Sequence, residues 1–80
     1  MPTHNMQEKV LSLLESVRPD IRRHLEKDWV ADGILDSLDI MGAITALEGA
    51  FSIEIEPGDV NAENFCSLEA VVNLVKNYAK

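Results

Sequence analysis

The stretch Asp32-Gly33-Ile34-Leu35-Asp36-Ser37-Leu38-Asp39 is a loop that turns into a helix. Gly33 permits a turn, and Ile34 and Leu35 are apolar anchors that pin it to a core. Asp36 or Ser37 suits the cap, because a side-chain oxygen there satisfies a free N–H of the first helical turn. Downstream, Ile40, Ile44, Leu47 and Phe51 recur at spacings of 4, 3 and 4, the apolar stripe of a helix beginning at Ser37. A helix mouth also offers unpaired N–H groups and about half a positive charge, so a serine there is well placed to carry a phosphodiester. On its own, an Asp-Ser-Leu step means no more than a cap; the rest of the chain decides.

Upstream, Asn5 with Glu8 three residues on reads as a capping box that opens a helix. Met6, Val10, Leu13, Leu14 and Val17 form its apolar face, and Pro19 ends it near Val17 or Arg18. The 17 residues from 20 to 36 make a long connection, which signals function or hidden local helix. Ile21 and Leu25 fit a short helical turn there, and Trp29 reads as a core plug beside Ile34 and Leu35. Downstream, Ile53-Glu54-Ile55-Glu56 alternates like a strand but has no second run to pair with, so an extended loop that tucks in both isoleucines is expected. Pro57-Gly58-Asp59 is turn chemistry. A short helix is expected over Asn61–Phe65. Ser67 then caps a last helix whose core face is Leu68, Val71, Val72, Val75 and Tyr78 or Ala79. The expectation is an all-α protein, a small four-helix bundle of three main helices and one short one, forming a single domain over residues 1–80.

Composition narrows the function. Of 80 residues, 46% are hydrophobic and 26% charged, a globular balance, while aromatics are only 5%, leaving the core to aliphatic side chains. Fourteen acids against seven bases give a net charge of −7, which repels nucleic acid and anionic membrane surfaces. The acid is concentrated: five acids and five bases precede residue 32, but Asp32 to Glu69 holds nine acids and no base. Such a one-sign region is either a solvated face or a surface that steers basic partners. A single cysteine allows no internal disulfide, and no targeting or membrane-spanning run is present, so a soluble, cytoplasmic, monomeric module is expected. Cys66 reads as a small buried hydrophobe. His4 and His24 lack partners at metal-ligand spacing, so no metal is assigned. Nothing near Ser37 in sequence could activate it as a nucleophile, which disfavours a serine hydrolase and any catalytic role.

The Gly-x-x-Asp-Ser-Leu turn after a long loop, the acidic second helix, Leu47-Glu48-x-x-Phe51, Ile53-Glu54-Ile55, and Glu63-Asn64-Phe65 followed by Ser67 together resemble the acyl carrier protein family over essentially the whole chain. Gly33-Ile34-Leu35-Asp36-Ser37 is more similar to the D-alanyl and peptidyl carrier branches than to the fatty-acid-synthase branch, which typically reads Gly-Ala-Asp-Ser-Leu here. The resemblance implies 4′-phosphopantetheine, transferred from coenzyme A to Ser37 by a phosphopantetheinyl transferase, with Asp36 and Leu38 flanking the attachment point. It implies a carrier of acyl or aminoacyl thioesters for fatty acid or secondary metabolite biosynthesis. The implied partners are a loading ligase and a downstream acyltransferase or condensing enzyme. Docking is expected on the second helix, with Leu38 and Met41 as apolar anchors and Asp39 and Glu48 as orienting charges. Gly42 and Gly49 stand where the fatty-acid branch commonly has acids, and each serves either close helix packing or close approach of a partner.

Two alternatives stand beside this reading. One is an unmodified acidic adaptor of the same fold. The other is calcium binding: Asp28, Asp32, Gly33 and Asp36 fall at positions 1, 5, 6 and 9 of an EF-hand-like loop, with Leu35 at position 8. Val30 at position 3 cannot ligate, and Asp39 stands where a bidentate Glu belongs at position 12.

Overall fold

Helix α1 (Pro2–Val17) starts on a proline in the computed structural model, which describes the backbone of residues 2–78 and the side chains of residues 6–78. The expected start at Asn5 is therefore corrected, since Asn5 lies within the helix. Pro2 supplies the physical reason, because its fixed φ suits a first helical position, where an N–H has no intrahelical partner anyway. The helix ends at Val17, before Pro19, as expected.

The connection to the next helix is ordered. A 3₁₀ turn spans Ile21–His24 and buries Ile21, while Leu25 stays exposed. Trp29, wholly buried, holds the loop through three bonds. Its indole N–H donates to His24 O (2.9 Å), its amide N–H donates to Cys66 O (2.7 Å), and its carbonyl accepts the Leu35 N–H (2.8 Å). Ile34 and Leu35 are buried beside it.

Helix α2 (Ser37–Phe51) follows, then an extended segment in which Ile55 is buried and Ile53 half-buried, with no strand. A 3₁₀ turn at Pro57–Asp59 leads to the short α3 (Ala62–Phe65), for which Asn61 is the cap and not the first residue. Helix α4 (Leu68–Tyr78) is capped by Ser67, whose Oγ accepts the Ala70 N–H at 3.1 Å. Among the described residues the architecture is all-helical, three main helices and a short one, with α1 packed on both α2 and α4, and α3 on α4.

Burial departs from the sequence reading in several places. On α1, Leu11 is buried though outside the expected face, while Met6, Leu13 and Val17 of that face are half-buried. On α4 the buried residues are Val71, Val72, Leu74 and Val75, so Leu74 joins the expected face. Leu68 and Tyr78 are half-buried, and Ala79 lies outside the described residues. On α2 only Ala43 and Leu47 are fully buried, while Ile40, Ile44 and Phe51 are half-covered. Cys66 is half-buried, with its thiol 3.5 Å from Glu63 O. Among the described residues, no helix is long and apolar enough to cross a membrane.

Candidate functional site

Ser37 is exposed and is the first residue of α2. Asp36, not Ser37, caps the helix. Its Oδ1 accepts the Asp39 N–H at 2.8 Å, and Asp39 Oδ2 in turn accepts the Asp36 N–H at 3.3 Å, a reciprocal capping box. The Ile40 N–H then reaches Asp36 O at 2.9 Å. The N–H groups of Ser37 and Leu38 consequently stay outside the helical ladder, at the positive end of the dipole. Because capping falls to a neighbour, the Ser37 hydroxyl is left available for chemistry.

The loop side of the site depends on Gly33. Its φ of +73° lies in the left-handed region, while nothing within 4 Å would meet a side chain, so the constraint is backbone conformation and not space. Asp28, first of the calcium-loop positions, uses Oδ1 to accept the N–H groups of Val30 (3.0 Å) and Ala31 (2.8 Å), the work of a turn.

The four expected docking residues divide into two pairs. Leu38 and Met41 are 77% and 65% exposed, the most solvent-facing large apolar side chains among the described residues. Asp39 and Glu48 are tied into the fold. Asp39 is bonded within the capping box and lies 3.8 Å from the Arg18 guanidinium, and Glu48 Oε2 accepts the Ile55 N–H at 2.8 Å, holding the segment after α2. The two glycines also separate. A Cβ on Gly42 would sit 3.3 Å from Val17 Cγ1, so this glycine serves the close crossing of α1 and α2. Gly49 faces open space. On α2, Leu38 and Met41 thus face solvent, while Asp39 and Glu48 are tied to backbone N–H groups.

Sequence reasoning missed Arg18 at this site, because no local pattern links residues 18 and 39, which meet only when the end of α1 crosses the start of α2. Arg18 also donates from Nε to Asp20 Oδ1 at 2.8 Å, which keeps the Asp20 carboxyl below its ordinary range. The His24 ring lies 3.3 Å from Asp20 and carries a buried Nδ1 without a partner. An open cleft of about 320 Å³, lined by Gln7, Leu25, Ser67, Leu68 and Glu69, takes no residue from α2.

The fold and site define a small helical bundle with an exposed serine at a helix mouth. The chain is 34% identical over 62 residues to a D-alanyl carrier protein of Lactococcus lactis subsp. lactis, covering 75% of this chain and 78% of that one. It is 32% identical over the same length, with the same coverage, to a D-alanyl carrier protein of Lactococcus lactis subsp. cremoris. No family model matches the chain, and no solved structure matches it. On these relatives, the chain belongs to the acyl and peptidyl carrier protein family. Its role is that of a carrier, and it is not an enzyme.

Proposed function

We propose that the chain carries acyl or aminoacyl groups as thioesters on a 4′-phosphopantetheine arm joined to Ser37. The observation that supports this best is the capping box: Asp36 and Asp39 close the helix, leaving an exposed Ser37 hydroxyl beside two free N–H groups. These residues fit a phosphodiester, since free N–H groups at a helix start favour an anion. When attached, the arm supplies a terminal thiol and reach into successive partner sites. In the transfer from coenzyme A, Ser37 Oγ gives its proton to the transferase and bonds to the phosphorus next to pantetheine, while the bond to adenosine 3′,5′-bisphosphate breaks. Magnesium for this step belongs to the transferase.

Recognition rests on Leu38 and Met41 as anchors, with Asp39 and Glu48 as charges held at fixed positions on the same helix. The partners are a phosphopantetheinyl transferase, a ligase that loads an acyl or aminoacyl group, and an acyltransferase or condensing enzyme that takes it. The name of the relatives is the reason to try D-alanine first as a cargo. We read the protein as a monomeric, cytoplasmic, single carrier domain over residues 1–80. Incubation with coenzyme A and a broad-specificity transferase, followed by intact-mass measurement, is expected to add one arm to the wild type and none to Ser37→Ala. Because Ser37 is not the cap, that variant keeps its stability to within about 0.5 kcal/mol. An alanine variant that still takes up the arm sinks the assignment.

A further inference from the structure

Arg18 closes the C-terminal end of α1, its N–H bonded to Leu14 O at 2.8 Å. The position is well fixed. Val17 beside it packs against Gly42, and the guanidinium is tethered to Asp20 at 2.8 Å. From there Nη1 stands 3.8 Å from Asp39 Oδ2, the carboxylate oxygen that also accepts the Asp36 N–H. Asp39 is only 20% exposed in its side chain, so water screens it incompletely. Between residues 32 and 69 the sequence holds nine acids and no base, and among the described residues this is the one ion pair that reaches any of those acids.

The consequence concerns charge at the modified serine. A phosphodiester on Ser37 adds one negative charge between Asp36 and Asp39, the two carboxylates of the capping box. The helix dipole favours that charge and the carboxylates oppose it. We propose that Arg18 is a positioning residue for the arm: by pairing with Asp39 it offsets one of the two opposing charges and so helps the helix mouth accept the phosphodiester. This rests on the carrier reading of Ser37 given above.

The test compares the melting temperatures of apo and arm-bearing protein, with occupancy checked by intact mass, in wild type, Arg18→Met, Arg18→Lys, Asp39→Asn and the Arg18→Met/Asp39→Asn double variant. At low salt, Arg18→Met is expected to lower the arm-bearing form by at least about 3 °C more than the apo form. Arg18→Lys should recover most of that gap, and the double variant all of it, because the charge that Arg18 offsets is then gone. The gap should also shrink in ~0.5 M salt. Asp39→Asn alone, which keeps its oxygen for the Asp36 N–H, should favour the arm-bearing form relative to the apo form, and this supplies the answer if Arg18→Met does not fold. Equal loss in apo and arm-bearing Arg18→Met, with no rescue by Asp39→Asn, makes Arg18 a packing residue and overturns the proposal while leaving the carrier reading intact. A wild type that takes no arm at Ser37 removes both.

Discussion

Helices α2 and α4 are both rich in apolar residues, yet they use them differently. The 11 residues of α4 bury four side chains, Val71, Val72, Leu74 and Val75, because α1 covers one flank and α3 another. The 15 residues of α2 bury only Ala43 and Leu47, since α1 is its main neighbour, and Leu38 and Met41 project into solvent. A helix with more apolar surface than the fold covers is either an aggregation hazard or a surface made for partners. The acids make the same distinction. Asp39 and Glu48 each accept a backbone N–H, so these two carboxylates are held in place against the fold while the apolar side chains face outward. One helix builds the core, and the other presents a serine with apolar flanks.

The largest effect expected is on the buried helix. Leu74→Ala should cost about 3 kcal/mol of unfolding free energy in a denaturant titration, from lost transfer energy and the cavity left behind. Met41→Ala, at 65% exposure, should change it by less than about 0.5 kcal/mol. Similar losses at both positions would erase the distinction between the helices.

Next comes Glu48. Glu48→Ala leaves the part-buried Ile55 N–H without its charged acceptor and should cost about 1.5 kcal/mol, read in the same titration. Slightly smaller in energy but opposite in kind is Met41→Glu, expected to leave folding intact while lowering kcat/KM for loading by the cognate ligase tenfold, about 1.4 kcal/mol. Charge reversal at Glu48 should slow loading less than Met41→Glu once its stability loss is allowed for. Should Asp39 and Glu48 reversals dominate in fully folded variants, recognition is electrostatic and the contrast drawn for α2 fails.

The glycines sharpen it further. Gly49→Ala should add up to about 1 kcal/mol, since helix propensity improves and nothing stands in the way. Gly42→Ala has the same propensity gain but must push Val17, 3.3 Å from the new Cβ, so its net effect should be near zero. If Gly49→Ala gains stability yet loads more slowly, a partner backbone approaches α2 there.

Much of this was legible in the sequence, for identifiable reasons. The turn at Gly33, the start of α2 and the Ser67 cap depend on short-range chemistry, and Trp29, Ile34 and Leu35 are bulky apolar residues in a polar loop; the structure places them all as read. The shortfalls came from tertiary covering. A 4-3-4 stripe identifies the apolar face of α2 but not how many neighbours cover it, so Ile40, Ile44 and Phe51 are half-buried. The reverse holds for Leu74, where two neighbours widen the buried arc. Asn5 and Glu8 have capping-box spacing, yet Pro2 starts the helix earlier. The role of Glu48 as an acceptor for Ile55, seven residues on, depends on how the chain reverses after Ser52, a residue in the left-handed region at φ 56°.

The smallest effect concerns how α4 ends, and it runs with pH. The Tyr78 hydroxyl donates to Asp59 and accepts the Glu56 N–H at 3.1 Å, clasping the last helix to the turn that follows the extended segment. The Asp59 carboxylate beside it holds the phenol above its ordinary range, because ionisation would lose the donated hydrogen bond and set two negative charges together. A group whose folded pKa is raised contributes stability that is fully present below its unfolded value, about 10, and is lost as pH rises through the folded value. Tyr78→Phe should therefore melt slightly below the wild type at pH 7, and the difference should close as pH climbs beyond about 10. A gap unchanged to pH ~11 would mean that the ring packs against the core without the clasp contributing. Neither Leu38 nor Met41 titrates, so Met41→Ala should show no such convergence, and the same pH series separates a helix fastened to the fold from one turned outward.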